Sequence, residues 1–365
     1  MNFVHEMPAE AWIDELDDTL LGSGELDELI DKGHVHGLTS NPSILEAAFA
    51  RSVDGPSLAR RYSCSPEEIY EEVAYEWIVA AADRFRPVYD GSDGQSGYVS
   101  IELPPALARN HHETVRTGYE LAKRLDRPNL MIKVPGTPPG LAAASDLLAR
   151  RIPINVTLLF DPKRFDAVAR AYFDGVSRLP ASAAGAQSPA CVASFFVSRI
   201  DTAVDRLLKV LADTANESAA REVALLLGSA GLSCAEATWA RYQAFVHEHA
   251  RVQAASPPRL RLLWASTSVK DKSYSPLKYV RPLMRPGTIT TMSRDTLNEW
   301  IRGAAGITSA NLPAPDLPRL RARLQDIGIG LDGIIATLEE QGLQLFHDSF
   351  GRMMRALAPA RAAIR

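Results

Sequence analysis

Eight short runs of β character, separated by helical stretches, predict an α/β fold: a (β/α)8 TIM barrel with additional helices, among them a C-terminal helix. Several of the runs are almost wholly apolar, as strands covered on both faces of a parallel sheet should be. No G-x-G-x-x-G string follows the first run, which argues against a doubly wound sheet.

In chain order the expected strands are Ala11–Leu16, His36–Ser40, Gly97–Leu103, Asn129–Pro135, Pro153–Phe160, Ala190–Ser198, Arg261–Ser266 and Gly287–Met292. Helical patterns fill the gaps. Glu25–Lys32 is short, and Ser65-Pro-Glu-Glu opens a long helix with a capping residue and an acidic first turn. Ala106–Leu125, Leu141–Arg151 and Pro162–Leu179 follow, the last with Asp161 as cap and proline at its first position. Asp201–Leu211 and Cys234–Ala254 precede the seventh strand. Asp295–Gly303, capped by Ser293, follows the eighth, and Leu338–Leu357 closes the pattern. Gly91–Gly97 and Ala181–Pro189 read as loops, and Asn311–Pro318, with three prolines, as a surface link. No repeat or composition break marks a boundary. One domain over 1–365 is expected, with a barrel core of about 11–305 and a helical extension of about 306–365.

Composition narrows the function. With 46% apolar residues and 23% charged ones the 365-residue chain can bury a large core. A net charge of −4 carries no general nucleic-acid footprint, so no nucleic acid is expected as a partner. No run approaches the ~18 apolar residues of a membrane span, and the acidic start lacks a signal core. Cys64, Cys191 and Cys234 are far apart and odd in number, so neither a disulfide framework nor a zinc site is expected, and the setting expected is a reducing cytoplasm. His34, His36, His111 and His112 lack a third ligand at metal spacing and read as surface residues.

In such a barrel, chemistry sits at the C-terminal ends of the strands. The polar residues there are Asp14, Asn41, Glu102, Lys133, Asn155, Thr157, Ser194, Arg199, Ser266 and Lys270. Lys133 stands inside the apolar string Leu-Met-Ile-Lys-Val-Pro, in a chain with 8 lysines against 32 arginines. Arginine stays charged, whereas a desolvated lysine can lose its proton and attack a carbonyl. Moving a lysine pKa from about 10.4 to about 7 takes roughly 4–5 kcal/mol of environment, within reach of burial. The alternative is an edge-strand lysine snorkelling to solvent.

Asp14 and Glu102 interrupt their strands and could divide the proton transfers of imine chemistry. Outward residues paired with helix arginines are the alternative. Asn41 lies in a Ser-Asn-Pro-Ser turn, where Ser43 could cap the next helix or the Asn41 amide could meet a ligand. Asn155 and Thr157 share one face of their strand. Arg199 and Lys270, just past strands six and seven, suit a phosphate at the rim, or else are solvated loop charges.

Taken together, these strings resemble the transaldolase family. Gly37-Leu-Thr-Ser-Asn41-Pro-Ser43, Asn129-Leu-Met-Ile-Lys133-Val-Pro135, Ile154-Asn-Val-Thr157-Leu-Leu-Phe160, Ala193-Ser-Phe-Phe-Val-Ser-Arg199 and Trp264-Ala-Ser-Thr267 match in order and spacing. The resemblance implies a single barrel, no metal or organic cofactor, and transfer of a dihydroxyacetone unit from a ketose phosphate to an aldose phosphate. It implies that Lys133 forms the imine, Asp14 takes the C4-hydroxyl proton, and Glu102 with Thr157 and a water dehydrates the carbinolamine. By the same resemblance Asn41 and Asn155 hold donor hydroxyls, Ser194 and Phe196 line the site, and Arg199 with Ser266 binds phosphate. Sugar phosphates are then the partners, and the chain is expected to be a monomer or a homodimer.

The chain departs from the family pattern at three places. Ser268 stands where a second phosphate-binding arginine is common, with Lys270 as its substitute. Leu-Pro-Pro-Ala-Leu-Ala follows Glu102 in place of a Val-Asp-Pro-Arg-Leu-like run, and Leu227–Ala235 lacks the lysines expected there. These differences leave open a specialised biosynthetic enzyme with another acceptor, or a non-catalytic sugar-phosphate-binding paralogue.

Overall fold

A computed structural model describes residues 8–51, 65–179, 187–252, 259–303 and 316–357. Cys64 and most of the expected loop at 181–189 and link at 311–318 lie outside them, as do the extension's residues 306–315 and 358–365. Eight parallel strands close into a barrel in chain order. They are β1 (Glu10–Ile13), β2 (Gly37–Thr39), β3 (Val99–Glu102), β4 (Leu130–Pro135), β5 (Ile154–Leu159), β6 (Cys191–Phe196), β7 (Leu260–Ala265) and β8 (Thr288–Met292). Every residue in them is buried, which is why their sequences read as apolar runs and not as alternation.

By its internal packing the chain forms two compact units. One takes in Ala11–Val156, Ala171–Cys191 and Gly342–Arg365, the other Met1–Glu10, Thr157–Arg170 and Val192–Gln341. In the first, β1 pairs with β2, β2 with β3, and β3 with β4, the last in a register that sets Glu102 opposite Lys133. Its helices are α1 (Asp18–Gly22), α2 (Glu25–Asp31), α3 (Pro42–Arg51), α4 (Pro66–Gly91), α5 (His111–Leu125) and α6 (Pro138–Leu148). Ser65 and Glu68 form a reciprocal capping box on α4.

Three expectations need correction in this unit. The stretch expected as one helix from Ala106 is a 3-10 turn, Pro105–Leu107, and then α5. Asn110 breaks it, because its side chain caps α5 by accepting from the Glu113 amide at 3.2 Å. The cap of α3 is Asn41, whose Oδ1 accepts from the Ile44 amide at 3.0 Å, and Ser43 lies inside the helix. The helix expected over Leu141–Arg151 starts three residues earlier and is α6, Pro138–Leu148, capped by Thr137; Gly140 in its first turn lets the helix lie close to β4, since a Cβ there would lie 2.1 Å from the Pro135 carbonyl oxygen.

The second unit carries most of α7 (Pro162–Ser177), then α8 (Ser198–Thr214), α9 (Glu217–Ala224), α10 (Ala230–Val252), α11 (Val280–Leu283), α12 (Arg294–Gly303) and α13 (Leu317–Asp326). Asp161 caps α7 through the Lys163 amide, and Ser293 accepts from Thr296 at the start of α12, as expected. Pro318, expected in a link, instead occupies the first turn of α13. The last helix, α14 (Leu331–Leu357), begins seven residues before the expected Leu338. Its buried stripe starts at Leu331 and Ile335, and Gly333 on the exposed side interrupts the sequence pattern without interrupting the helix.

Candidate active site

Lys133 is a barrel residue and not an edge lysine: its side chain is only 4% exposed. The β3–β4 register brings the Glu102 carboxylate to 3.6 Å from its Nζ, and that carboxylate is 5% exposed. The amine also donates to Thr39 Oγ1 at 3.3 Å and to the Ser40 carbonyl at 3.1 Å, both at the end of β2. Ser40 is fixed in turn by its amide and hydroxyl, which reach the Ser100 carbonyl at 3.1 and 2.9 Å. Asn155, fully buried, donates through Nδ2 to Ser100 Oγ at 3.0 Å. Three neighbouring strands and β5 thus hold the surroundings of one amine.

Glu102 is left short of partners. Its Oε2 is buried and has no hydrogen bond among the described residues, although Lys133 faces it at 3.6 Å. Burial pushes the carboxyl up to about 7, while the lysine charge pulls the other way. A carboxyl that titrates near neutrality can both give and take a proton at working pH. Asp14 follows β1 directly and is half-buried. Asn41 stands at the mouth of α3 with its carbonyl end committed to the cap.

The other expected residues belong to the second unit. Thr157 is fully buried, and its Oγ1 has no hydrogen-bond partner among the described residues. Ser194 and Phe196 are buried in β6. The Arg199 guanidinium stacks over the Phe196 ring, 5.3 Å from its centroid, and partial burial lowers its affinity for the proton without threatening its charge. No carboxylate lies within ion-pair distance of Arg199 among the described residues. Ser266 Oγ is 2.9 Å from Ser198 Oγ, so the residue before Arg199 and the residue after β7 are tied together. Ser268 shares a hydroxyl cluster with Ser293 and Thr296 at 3.0 and 3.2 Å, and Lys270 is exposed.

Two features escaped the sequence reading. Leu158 and Ser266 have φ of +59° and +54°, conformations that L side chains rarely adopt. Each costs on the order of 1–3 kcal/mol; Leu158 sits beside the expected Thr157 and Ser266 is itself an expected site residue, where such strain concentrates. No sequence signal marks either one. The anchoring roles of Thr39 and Ser40 were also missed. They lie within the Gly37–Ser43 string, but only the folded register shows that they face the amine.

A closed parallel barrel with a buried lysine and a near-neutral glutamate paired across adjacent strand ends defines a class: barrel enzymes equipped for amine and carboxyl chemistry on a carbonyl compound. The chain belongs to the transaldolase/fructose-6-phosphate aldolase family, whose model matches residues 11–357. It is 36% identical over 355 residues to transaldolase 2 of Streptomyces avermitilis, covering 94% of this chain and 92% of that one. It is also 36% identical over 370 residues to a transaldolase of Thermobifida fusca, covering 96% and 95%. A transaldolase of Mycolicibacterium paratuberculosis is 36% identical over 351 residues, covering 94% and 92%.

Proposed function

We propose that the protein is a transaldolase that moves a dihydroxyacetone unit from a ketose phosphate, such as fructose 6-phosphate or sedoheptulose 7-phosphate, to an aldose phosphate through an imine on Lys133. The observation that carries this reading is the buried Lys133 amine 3.6 Å from a carboxyl that titrates near 7. The amine adds to the ketose C2 carbonyl, and Glu102, with Thr157 and a water, protonates the departing hydroxyl so that the carbinolamine loses water. Asp14 then takes the proton of the C4 hydroxyl. The C3–C4 bond breaks, its electrons run into the imine to give an enamine, and the aldose phosphate leaves. The enamine attacks the aldehyde carbon of the acceptor, and hydrolysis frees Lys133. Asn41 and Asn155 are the groups assigned to donor hydroxyls, and Ser194 and Phe196 to the lining. Arg199, Ser266 and, at longer range, Lys270 are assigned to phosphate.

The residues around Lys133 are an amine, carboxyls, amides and hydroxyls, and this chemistry asks for no organic cofactor. The described cysteines, Cys191 and Cys234, are buried free thiols, which supports work in a reducing cytoplasm. Among the described residues no helix is long and apolar enough to cross a membrane. We read the whole chain as one barrel domain with a helical extension, acting as a monomer or homodimer. Borohydride reduction in the presence of fructose 6-phosphate, followed by peptide mapping, is expected to label Lys133. Absence of label with a panel of ketose phosphates overturns the reading. Release of free dihydroxyacetone without an acceptor would instead make the enzyme an aldolase.

A further inference from the structure

A small cavity of about 10 Å³ has Glu102 in its lining. That is roughly the space one water-sized probe needs, so the cavity is at the limit of hydration. Its lining includes Glu102, Pro104, Val134, Thr114 and, from the far end of the sequence, Leu343 and Phe346 of α14. Thr114 spends its hydroxyl on the Leu107 carbonyl at 2.9 Å, and the other residues named beside Glu102 are apolar. Phe346 is 2% exposed. This part of α14 is pinned down by several contacts. Ser349 Oγ lies 2.8 Å from Ser43 Oγ, Arg352 donates to both oxygens of Glu46 at 2.5 and 2.9 Å, and Phe350 meets the Tyr70 ring edge-on at 5.2 Å.

We propose that α14 is a wall of the active site, and that Leu343 and Phe346 are positioning residues that keep water off the Glu102 carboxyl and so hold it in its proton-donating form. The inference rests on the role given to Glu102 above. Desolvation by burial is the largest influence on that carboxyl, and Leu343 and Phe346 share a cavity lining with Glu102. Among the described residues Lys133 is the titratable group that acts on Glu102, and Tyr70 responds to it. Lys133 favours the charged carboxylate from β4, and Tyr70 of α4 is a buried phenol that feels its charge. His347 and Asp348, next along α14, are exposed and point to solvent. Burial is therefore what opposes Lys133.

The test compares the pH dependence of kcat in wild type, Phe346→Ala, Leu343→Ala and the conservative Phe346→Leu, with infrared titration of the protonated carboxyl referenced to Glu102→Gln. Opening the wall admits water, and the limb near pH 7 is expected to move down by about one unit in Phe346→Ala and by less in Leu343→Ala. Phe346→Leu is expected to restore it. Leu343 is half-exposed, so its variant folds even where Phe346→Ala does not. A folded variant with an unmoved limb and an unmoved infrared titration overturns the proposal. If the wild-type limb survives in Glu102→Gln, or Lys133 is not labelled by borohydride, it is the role of Glu102 or Lys133 that fails and not the wall.

Discussion

Lys133 and Lys278 each meet a buried carboxylate, Glu102 at 3.6 Å and Asp201 at 3.0 Å, yet the two pairs are finished differently. Asp201 is saturated: it accepts from Lys278, from the Tyr279 hydroxyl at 2.8 Å and from the Gly231 amide at 2.6 Å. Its neighbour Asp205 accepts from the Gly228 amide and the Tyr274 hydroxyl, both at 2.8 Å. Lys278 also sits 3.5 Å from the centroid of the Tyr274 ring. That network ties α8 to the turn before α10 and to the segment after β7. Around Lys133 the amine is well held, but one oxygen of its carboxylate partner has no hydrogen bond among the described residues. A fully satisfied buried network rigidifies, whereas a buried carboxyl short of partners is costly to keep charged and so is held near its neutral form. On the proposed reading, the same residue types serve as scaffold in one place and as chemistry in the other.

The largest expected effect separates the two lysines. Lys133→Met is expected to reduce transfer by at least ~10⁴-fold, the scale of losing a covalent nucleophile. Steady-state transfer assays and the loss of the reduced imine adduct in intact-mass spectra check this. Lys278→Met leaves Asp201 in place with two of its three partners. It is expected to cost about 2–3 kcal/mol of stability, read by denaturant unfolding, with the pH dependence of kcat unmoved. A variant at Lys278 that shifts the pH profile while keeping its stability would break the comparison.

Glu102→Gln comes next, with an expected loss of about 10²–10⁴ in kcat and disappearance of the limb near pH 7. The stability effect has a definite sign. The folded carboxyl titrates near 7 against an ordinary value of 4.5, so the folded state holds the proton more tightly than the unfolded chain. Its contribution is fully present below pH 4.5 and is lost as pH rises through 7, by about 3 kcal/mol in all. Unfolding measured between pH 4 and 8 is expected to show that decline in wild type and its absence in Glu102→Gln.

The sequence showed the barrel because each strand is buried on both faces, and a doubly buried strand leaves an apolar run that no packing detail can disguise. It showed Lys133 for the converse reason: a charge inside such a run needs an account. What escaped depends on contacts that one sequence does not encode. Asn110 and Asn41 are caps only once the chain has turned, and short helices such as α1, α9 and α11 lack the length for a period to register. The positive φ values at Leu158 and Ser266 belong to residues with no left-handed preference. Phe346 reads as one member of a helical stripe, and its place beside Glu102 follows from folding across more than two hundred residues.

The phosphate rim sharpens the comparison with the smallest effects. Arg199 is partly buried and stacked on Phe196, so its charge is poorly screened and its fork is pre-oriented. Arg199→Met is expected to raise KM for a phosphorylated ketose by about 10- to 100-fold while kcat falls less, and to leave the reaction of an unphosphorylated ketose nearly unchanged. Lys270 is exposed and carries its charge through solvent. Lys270→Ala is expected to raise the same KM by only ~2- to 3-fold at low ionic strength, an effect that fades at about 0.5 M salt as the Debye length shrinks. Arg199 should keep most of its effect in that salt. If instead Lys270→Ala matches Arg199→Met and resists salt, Lys270 makes a direct contact to phosphate in place of the arginine that Ser268 does not supply.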